Sequence, residues 1–306
     1  MKTAKSAGGA VPLATDFSTP ARRAYIYAVK FSSTLQSSLI LLHVVKALPE
    51  FDTWSPSARR LLHQLRTKAL LELGRMARIA QDAGVSVEHR LIVGIPEDAI
   101  LKTAEESGAA FIAMGTHGRT GWDRLQLGSN TEAMLRKAPC PVLTVHDATA
   151  ADVPLNPRRV KLKRILVAMD FSASSGAAFR SAVRLARQFD ARVVLVHAFD
   201  PAKGARSGRG HAGDSIRQRA DRRLQQAVAA EQAERHVAER ISESGNPVKV
   251  ILDQAKRVTA DLIVMGTNGR RHMHRLVMGS VAESVVRRGG CPVLVVKAGV
   301  RQAHDT

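Results

Sequence analysis

The chain is short of cysteine, of aromatic residues and of acidic charge, and each shortage excludes something. Only two of 306 residues are cysteines, Cys140 and Cys291. They cannot build a disulfide scaffold, and no Cys-x-x-Cys or His-x-x-x-His spacing signals zinc. The two thiols are expected to stay reduced in a cytoplasmic protein. Aromatic residues make up 4%, too few for the stacking platform of a single-strand nucleic-acid binder. No apolar run reaches the length of about eighteen residues needed for a membrane-spanning helix. The first ten residues carry Lys2 and Lys5 but no apolar stretch, so they do not read as a secretory signal. Acidic residues number 27 against 46 Lys and Arg, for a formal net charge of +19. Such an excess suits nucleic acid, an anionic surface or a phosphorylated ligand. It is spread over both halves of the chain, densest from Lys203 to Arg223, and Arg-rich helix surfaces account for it. Nucleic acid is therefore a partner that is not favoured, and no membrane partner is expected.

What the chain does have is a repeat. Gly115-Thr116-His117-Gly118, nine residues, then Gly128-Ser129 returns as Gly266-Thr267-Asn268-Gly269, nine residues, then Gly279-Ser280, at a constant offset of 151. Cys140-Pro141 returns as Cys291-Pro292 at the same offset, and Asp16-Phe17-Ser18 and His43 return as Asp170-Phe171-Ser172 and His197 at 154. One unit is present twice. The stretch from Asp147 to Pro157 is rich in Ala, Asp, Pro and Asn and reads as a linker. This sets domains at 1–147 and 160–306 with 148–159 between them, each large enough for its own core.

Within each half, short apolar runs alternate with amphipathic stretches. Val167 and its neighbours, Val193–Val196, Leu262–Met265 and Val293–Val296 read as buried strands. In the first half the corresponding runs are Leu39–Val45, Val85–Val93, Phe111–Met114 and Val142–Val145. Near-continuous β-branched runs between helices indicate a parallel sheet covered on both faces. Long helices are expected over Pro56–Asp82, with an apolar stripe of Leu61, Leu65, Ala69, Leu73, Met76 and Ala80, and over Ser215–Glu234. Two segments fit poorly. The opening strand, Ala10–Ala14, contains Pro12, which cannot donate to a ladder although the strand should be central. The run His236–Ser244 is polar enough to be tolerated only at a sheet edge.

The glycine-serine motif carries the chemistry. Gly115 and Gly266 follow buried strands, where a glycine would let the backbone turn with positive φ and let a ligand approach. Gly128-Ser129 and Gly279-Ser280 precede helices, whose exposed N–H groups favour a phosphate. Arg119 and Arg270 would add charge beside it. Ser129-x-x-Glu132 and Ser280-x-x-Glu283 can equally be capping boxes. A cap explains Ser and Glu but not three glycines at one spacing, twice. The absence of Gly-Lys-Ser/Thr excludes a Walker A loop. Asp16 and Asp170 either accept a hydrogen bond from a nucleotide, help hold a metal, or serve as turn residues. Ser18 and Ser172 suit helix caps.

These residues resemble the universal stress protein family. The resemblance rests on Leu13-Ala14-Thr15-Asp16-Phe17-Ser18, Leu41-Leu42-His43-Val44, Gly94-Ile95-Pro96 and the first glycine motif. It rests equally on Val167-Ala168-Met169-Asp170-Phe171-Ser172, Val196-His197-Ala198, Gly245-Asn246-Pro247 and the second. The resemblance implies two tandem, doubly wound α/β domains, each a five-stranded parallel sheet of order 3-2-1-4-5. It also implies the ATP-binding branch of the family. Asp16, the backbone of Val44, Gly115, Gly118, Arg119, Gly128 and Ser129 would form one ATP site. Asp170, the backbone of Ala198, Gly266, Gly269, Arg270, Gly279 and Ser280 would form the other, with Mg²⁺ on the phosphates and no metal ligand assigned. The last strands, Val142–Val145 and Val293–Val296, are expected to pair within the chain, and a homodimer is a further option.

No catalytic residue stands out. His117 becomes Asn268 in the second copy, and His43 and His197 read as structural ends of strands. Three functions stay open: a nucleotide-binding stress regulator with at most slow hydrolysis, a genuine ATPase or autophosphorylating enzyme, and a basic scaffold for nucleic acid or an acidic partner. The first is preferred. Pro12 leaves the first site in doubt, so the second is expected to bind ATP at least as well.

Overall fold

A computed structural model describes residues 9–46, 55–116, 127–146, 155–200, 212–267 and 278–299. The chain divides between Val160 and Lys161 into two compact units. Among the described residues each unit has five strands and four α-helices. In unit 1 they are β1 (Ala10–Ala14), α1 (Thr19–Leu35), β2 (Ser38–Lys46), α2 (Pro56–Asp82), β3 (Val87–Gly94), α3 (Pro96–Glu106), β4 (Ile112–Gly115), α4 (Ser129–Lys137) and β5 (Val142–Val145). In unit 2 they are β6 (Arg164–Ala168), α5 (Ala173–Phe189), β7 (Arg192–Phe199), α6 (Ala212–Ala230), β8 (Val237–Ser244), α7 (Pro247–Arg257), β9 (Leu262–Gly266), α8 (Ser280–Arg288) and β10 (Val293–Val296).

All strand pairs in both units are parallel. The order is β3-β2-β1-β4-β5 in unit 1 and β8-β7-β6-β9-β10 in unit 2. This is the doubly wound 3-2-1-4-5 sheet expected from the sequence. Right-handed crossovers then send the first two helices to one face and the last two to the other. The contacts agree: α1 and α2 are joined by the Tyr25 hydroxyl, which donates to Met76 O at 2.6 Å, while α3 packs on α4 and α7 on α8. The central strands read as unbroken apolar runs because helices cover both faces, and Leu13, Leu39, Leu41, Ile112, Ile165, Val193 and Ile263 have no measurable exposure.

Burial raises the Tyr25 pKa well above the usual phenol range, with a smaller push from the Asp82 charge. The folded state thus keeps a proton that the unfolded chain releases above pH 10. The contribution is intact below that point and is lost progressively as pH rises from it through the higher pKa of the folded state. We expect unfolding free energy to fall with pH in the alkaline range, and Tyr25→Phe to flatten the slope. Urea titrations at a series of alkaline pH values measure both.

Three sequence expectations change. The Pro12 objection disappears, because β1 forms as a central strand containing it. Thr15 N–H donates to Leu42 O and Ala10 O accepts from Ala110 N–H, so odd positions face β2 and even positions, Pro12 among them, face β4. On that side Ala10 bridges Ala109 and Leu13 pairs with Ala113, so β4 has one residue more than β1 across the gap. The missing N–H falls where the ladder is already interrupted. Second, the stripe on α2 is only partly buried. Ala69, Leu73, Met76 and Ala80 are in the core, whereas Leu61 and Leu65 stay 44% and 45% exposed. The helix has 27 residues and its neighbour β2 only nine. At roughly 1.5 and 3.3 Å per residue the helix overhangs the sheet by about 10 Å. Third, α6 begins and ends a few residues before the expected 215–234. The polar strand β8 sits at the edge, where its exposed charges are tolerated.

Candidate functional site

In unit 2 the carboxyl ends of β6, β7 and β9 meet the starts of α7 and α8 around a cavity of about 440 Å³. This is where the strand order reverses, the place where open parallel sheets bind ligands. Asp170, Ala198, Gly266, Gly279 and Ser280 all line it, so five of the seven residues expected at the second site come together. The other two, Gly269 and Arg270, lie outside the described residues, as do Gly118 and Arg119 at the first site. Residues given no site role from the sequence also line it, among them Met169, Val196, Ile251, Met265, Val281 and Thr267. The apolar members resemble ordinary core residues in sequence and give no separate signal. Thr267 did give one, since Thr116 repeats it at the offset of 151.

That threonine joins the two ends of the motif. Thr267 N–H donates to Val296 O at 3.0 Å, and Thr267 O accepts from Gly279 N–H at 2.9 Å. Thr116 makes the same pair of bonds, to Val145 O at 3.1 Å and from Gly128 N–H at 3.0 Å. In unit 1 Thr131 Oγ1 also donates to Gly115 O at 3.0 Å. Gly115, Gly128 and Ser129 are thereby gathered at the end of β4, beside the ends of β1 with Asp16 and of β2 with Val44. With β1 formed as a central strand between β2 and β4, Pro12 no longer gives a reason to rank one cleft above the other.

The serines are not caps. Gly128 and Gly279 occupy the N-cap positions of α4 and α8, with no side-chain cap hydrogen bond, and Ser129 and Ser280 are the first helical residues. Nor do the glutamates turn back as a capping box requires. Glu132 faces Arg136 at 3.9 Å and Glu283 faces Arg287 at 3.5 Å, both one turn onward. Each helix start therefore presents backbone N–H groups beside an exposed hydroxyl, the arrangement that suits an anion.

The first glycine of each motif has a different role from the one its sequence position suggests. Neither Gly115 nor Gly266 has positive φ. A Cβ on Gly115 would lie 2.7 Å from Pro20 Cβ and 2.8 Å from Ala21 N, and one on Gly266 would lie 2.6 Å from Ser174 Oγ. These glycines let the first helix of each unit come down against the strand end.

The Asp-Phe-Ser triplets form matching turns. Asp16 Oδ1 accepts from Ser18 N–H at 3.0 Å and Ser18 Oγ at 2.5 Å, and Asp170 Oδ1 accepts from Ser172 N–H at 3.0 Å and Ser172 Oγ at 2.6 Å. Both serines also cap the following helix. His43 Nδ1 donates to Thr15 O and His197 Nδ1 to Met169 O, each at 2.7 Å, and their rings pack on Phe17 and Phe171. They act as structural ends of strands, as the sequence suggests. Cys140 and Cys291 are free thiols. Burial, aided by the Asp261 charge, pushes Cys291 up to about 12, against a smaller opposing effect of the Ile263 N–H. That thiol is no nucleophile at neutral pH.

The universal stress protein family model matches residues 11–146 and again 161–297. The chain belongs to the universal stress protein family. The chain matches some relatives over most of its length and others over less than half. It is 26% identical over 271 residues to universal stress protein Rv2005c of Mycobacterium tuberculosis, covering 85% of this chain and 87% of that protein. It is 30% identical over 152 residues to universal stress protein MJ0577 of Methanocaldococcus jannaschii, covering 43% of this chain and 90% of that one. A crystal structure of a universal stress protein from Archaeoglobus fulgidus superposes with a TM-score of 0.72 at 26% identity, over 95% of this chain and 99% of that one.

Proposed function

We propose that this chain is a nucleotide-binding stress regulator, taking ATP in the cleft of each unit, with its output set by occupancy and at most slow hydrolysis. The observation that carries the reading is the uncapped start of α8, Gly279 followed by Ser280, at the wall of a 440 Å³ cavity faced by Asp170. That volume falls within the few hundred Å³ typical of small-molecule sites. Apolar residues such as Val196, Met265 and Ile251 suit a base, and the helix start suits phosphates. Among the described residues no group of three or more His, Cys, Asp or Glu is placed to hold a metal. Mg²⁺ would therefore rest mainly on the phosphates, as it commonly does. The titratable side chains on the wall are engaged in the turn, His197 through Nδ1 to Met169 O and Asp170 through Oδ1 to Ser172 N–H and Oγ, a structural use that supports binding over turnover.

The test is direct. Protein purified without added nucleotide is denatured, and the released small molecules are identified by mass spectrometry. ATP or ADP near stoichiometric amounts is expected. Empty protein that also gives no heat with Mg-ATP in titration calorimetry overturns the reading.

A further inference from the structure

The Asp-Phe-Ser turn is strained in both units. Phe17 and Phe171 have φ of 65° and 62°, in the left-handed region that a bulky residue keeps only where its surroundings hold it there. Part of the hold is shared, the ring packing of each Phe on its His at 4.5 and 4.6 Å. A further contact comes from an arginine, but from a different helix in each unit. In unit 1 Arg22 on α1 donates from Nε to Phe17 O at 3.2 Å, and its Nη2 reaches Glu72 on α2 at 3.5 Å. In unit 2 the position matching Arg22, at the offset of 154, is Gly176. There Arg223 on α6 lies over the Phe171 ring instead, with Cζ 4.0 Å from the centroid. One unit thus grips the phenylalanine by its carbonyl and the other by its ring face. A solvated surface arginine gives no reason for a guanidinium to return to the same turn when its donor helix has changed.

The turn matters because it fixes a carboxylate. Through Ser172 N–H and Oγ it sets Asp170 Oδ1, and Asp170 and His197 line the cavity whereas Arg223 does not. We propose that Arg22 and Arg223 are positioning residues. Each holds its Asp-Phe-Ser turn in the left-handed conformation and so orients the aspartate of its own cleft toward a nucleotide. The nucleotide part rests on the function proposed above; the bracing of the turn does not.

The experiment uses the full chain, ¹⁵N-labelled, as wild type, Arg223→Ala, Arg223→Lys and Arg22→Ala. Two quantities are read: the Ser172 and Ser18 amide resonances without nucleotide, and Mg-ATP affinity by calorimetry. In Arg223→Ala the Ser172 amide should shift and exchange several-fold faster while Ser18 stays put, and one class of ATP site should weaken about fivefold to tenfold. Arg223→Lys, which keeps a cation over the ring, should recover part of both. Arg22→Ala should give the reverse pattern, moving Ser18 alone. An unmoved Ser172 amide in Arg223→Ala overturns the brace, and a moved amide with unchanged affinity overturns the orienting role toward the nucleotide. If wild type binds no nucleotide, the ATP reading falls and the amides alone decide whether the brace exists.

Discussion

Replacing Gly128 and Gly279 together by valine should leave a folded protein that no longer carries ATP. Both glycines sit at N-caps with ordinary extended backbone, φ −62°, ψ 141° and φ −69°, ψ 140°, which valine adopts without strain. Valine is a poorer cap residue than glycine, but that costs each helix only about 1 kcal/mol or less. The effect on binding is of another size. The branched side chain stands at the helix start where a phosphate would lie, and blocks its approach to the N–H groups. Hydrogen bonds to a charged group contribute about 1.5–3 kcal/mol each, so losing two weakens binding on the order of a hundredfold or more. The measurement is ATP released from the denatured variant, with calorimetric titration and a melting curve alongside. Binding retained at wild-type strength would show that the helix starts do not hold the phosphates.

How far the sequence leads depends on whether a feature is local. The edge position of β8 was legible in its polar composition, and the strand order and the gathering of Asp170, Ala198, Gly266, Gly279 and Ser280 followed from the family resemblance that the repeated motif carries. What the sequence misjudged were properties that depend on neighbours. Pro12 looks incompatible with a central strand until the one-residue offset opposite it on β4 is seen. Leu61 and Leu65 continue a helical period, yet the sheet ends before they reach it. Ser129-x-x-Glu132 has the letters of a capping box, but the helix begins one residue earlier than the box requires and Glu132 turns toward Arg136. Arg22 and Arg223 could not be paired from the sequence at all, since they stand on different helices and only the fold brings each to its phenylalanine.

Gly266→Ala should do the opposite of the valine pair, lowering stability before anything else. A methyl group there would lie 2.6 Å from Ser174 Oγ, 2.8 Å from Ser174 C and 2.9 Å from Ser174 Cβ. Rotating the serine relieves only the first contact. The other two involve atoms fixed by the backbone of α5, so the helix start itself has to move away from β9. Overpacking of this kind costs about 1–3 kcal/mol, which for a unit of this size lowers Tm by roughly 5–10 °C. Gly115→Ala meets the backbone of Pro20 and Ala21 at 2.8 Å and should cost unit 1 about as much. Gly290→Ala is the control, since its Cβ meets nothing within 4 Å; its Tm should change by no more than about 1 °C. Differential scanning calorimetry of the three variants reads all of this, and an unchanged Tm for Gly266→Ala would show that α5 has room the close contacts deny. Because Ser172 caps α5 and also bonds Asp170, a displaced helix start drags the aspartate with it. Nucleotide affinity should therefore fall in Gly266→Ala as a consequence of lost packing, whereas in the valine pair it falls while packing survives. The two kinds of glycine in one motif, one making room for a helix and one for a ligand, are separated by that contrast.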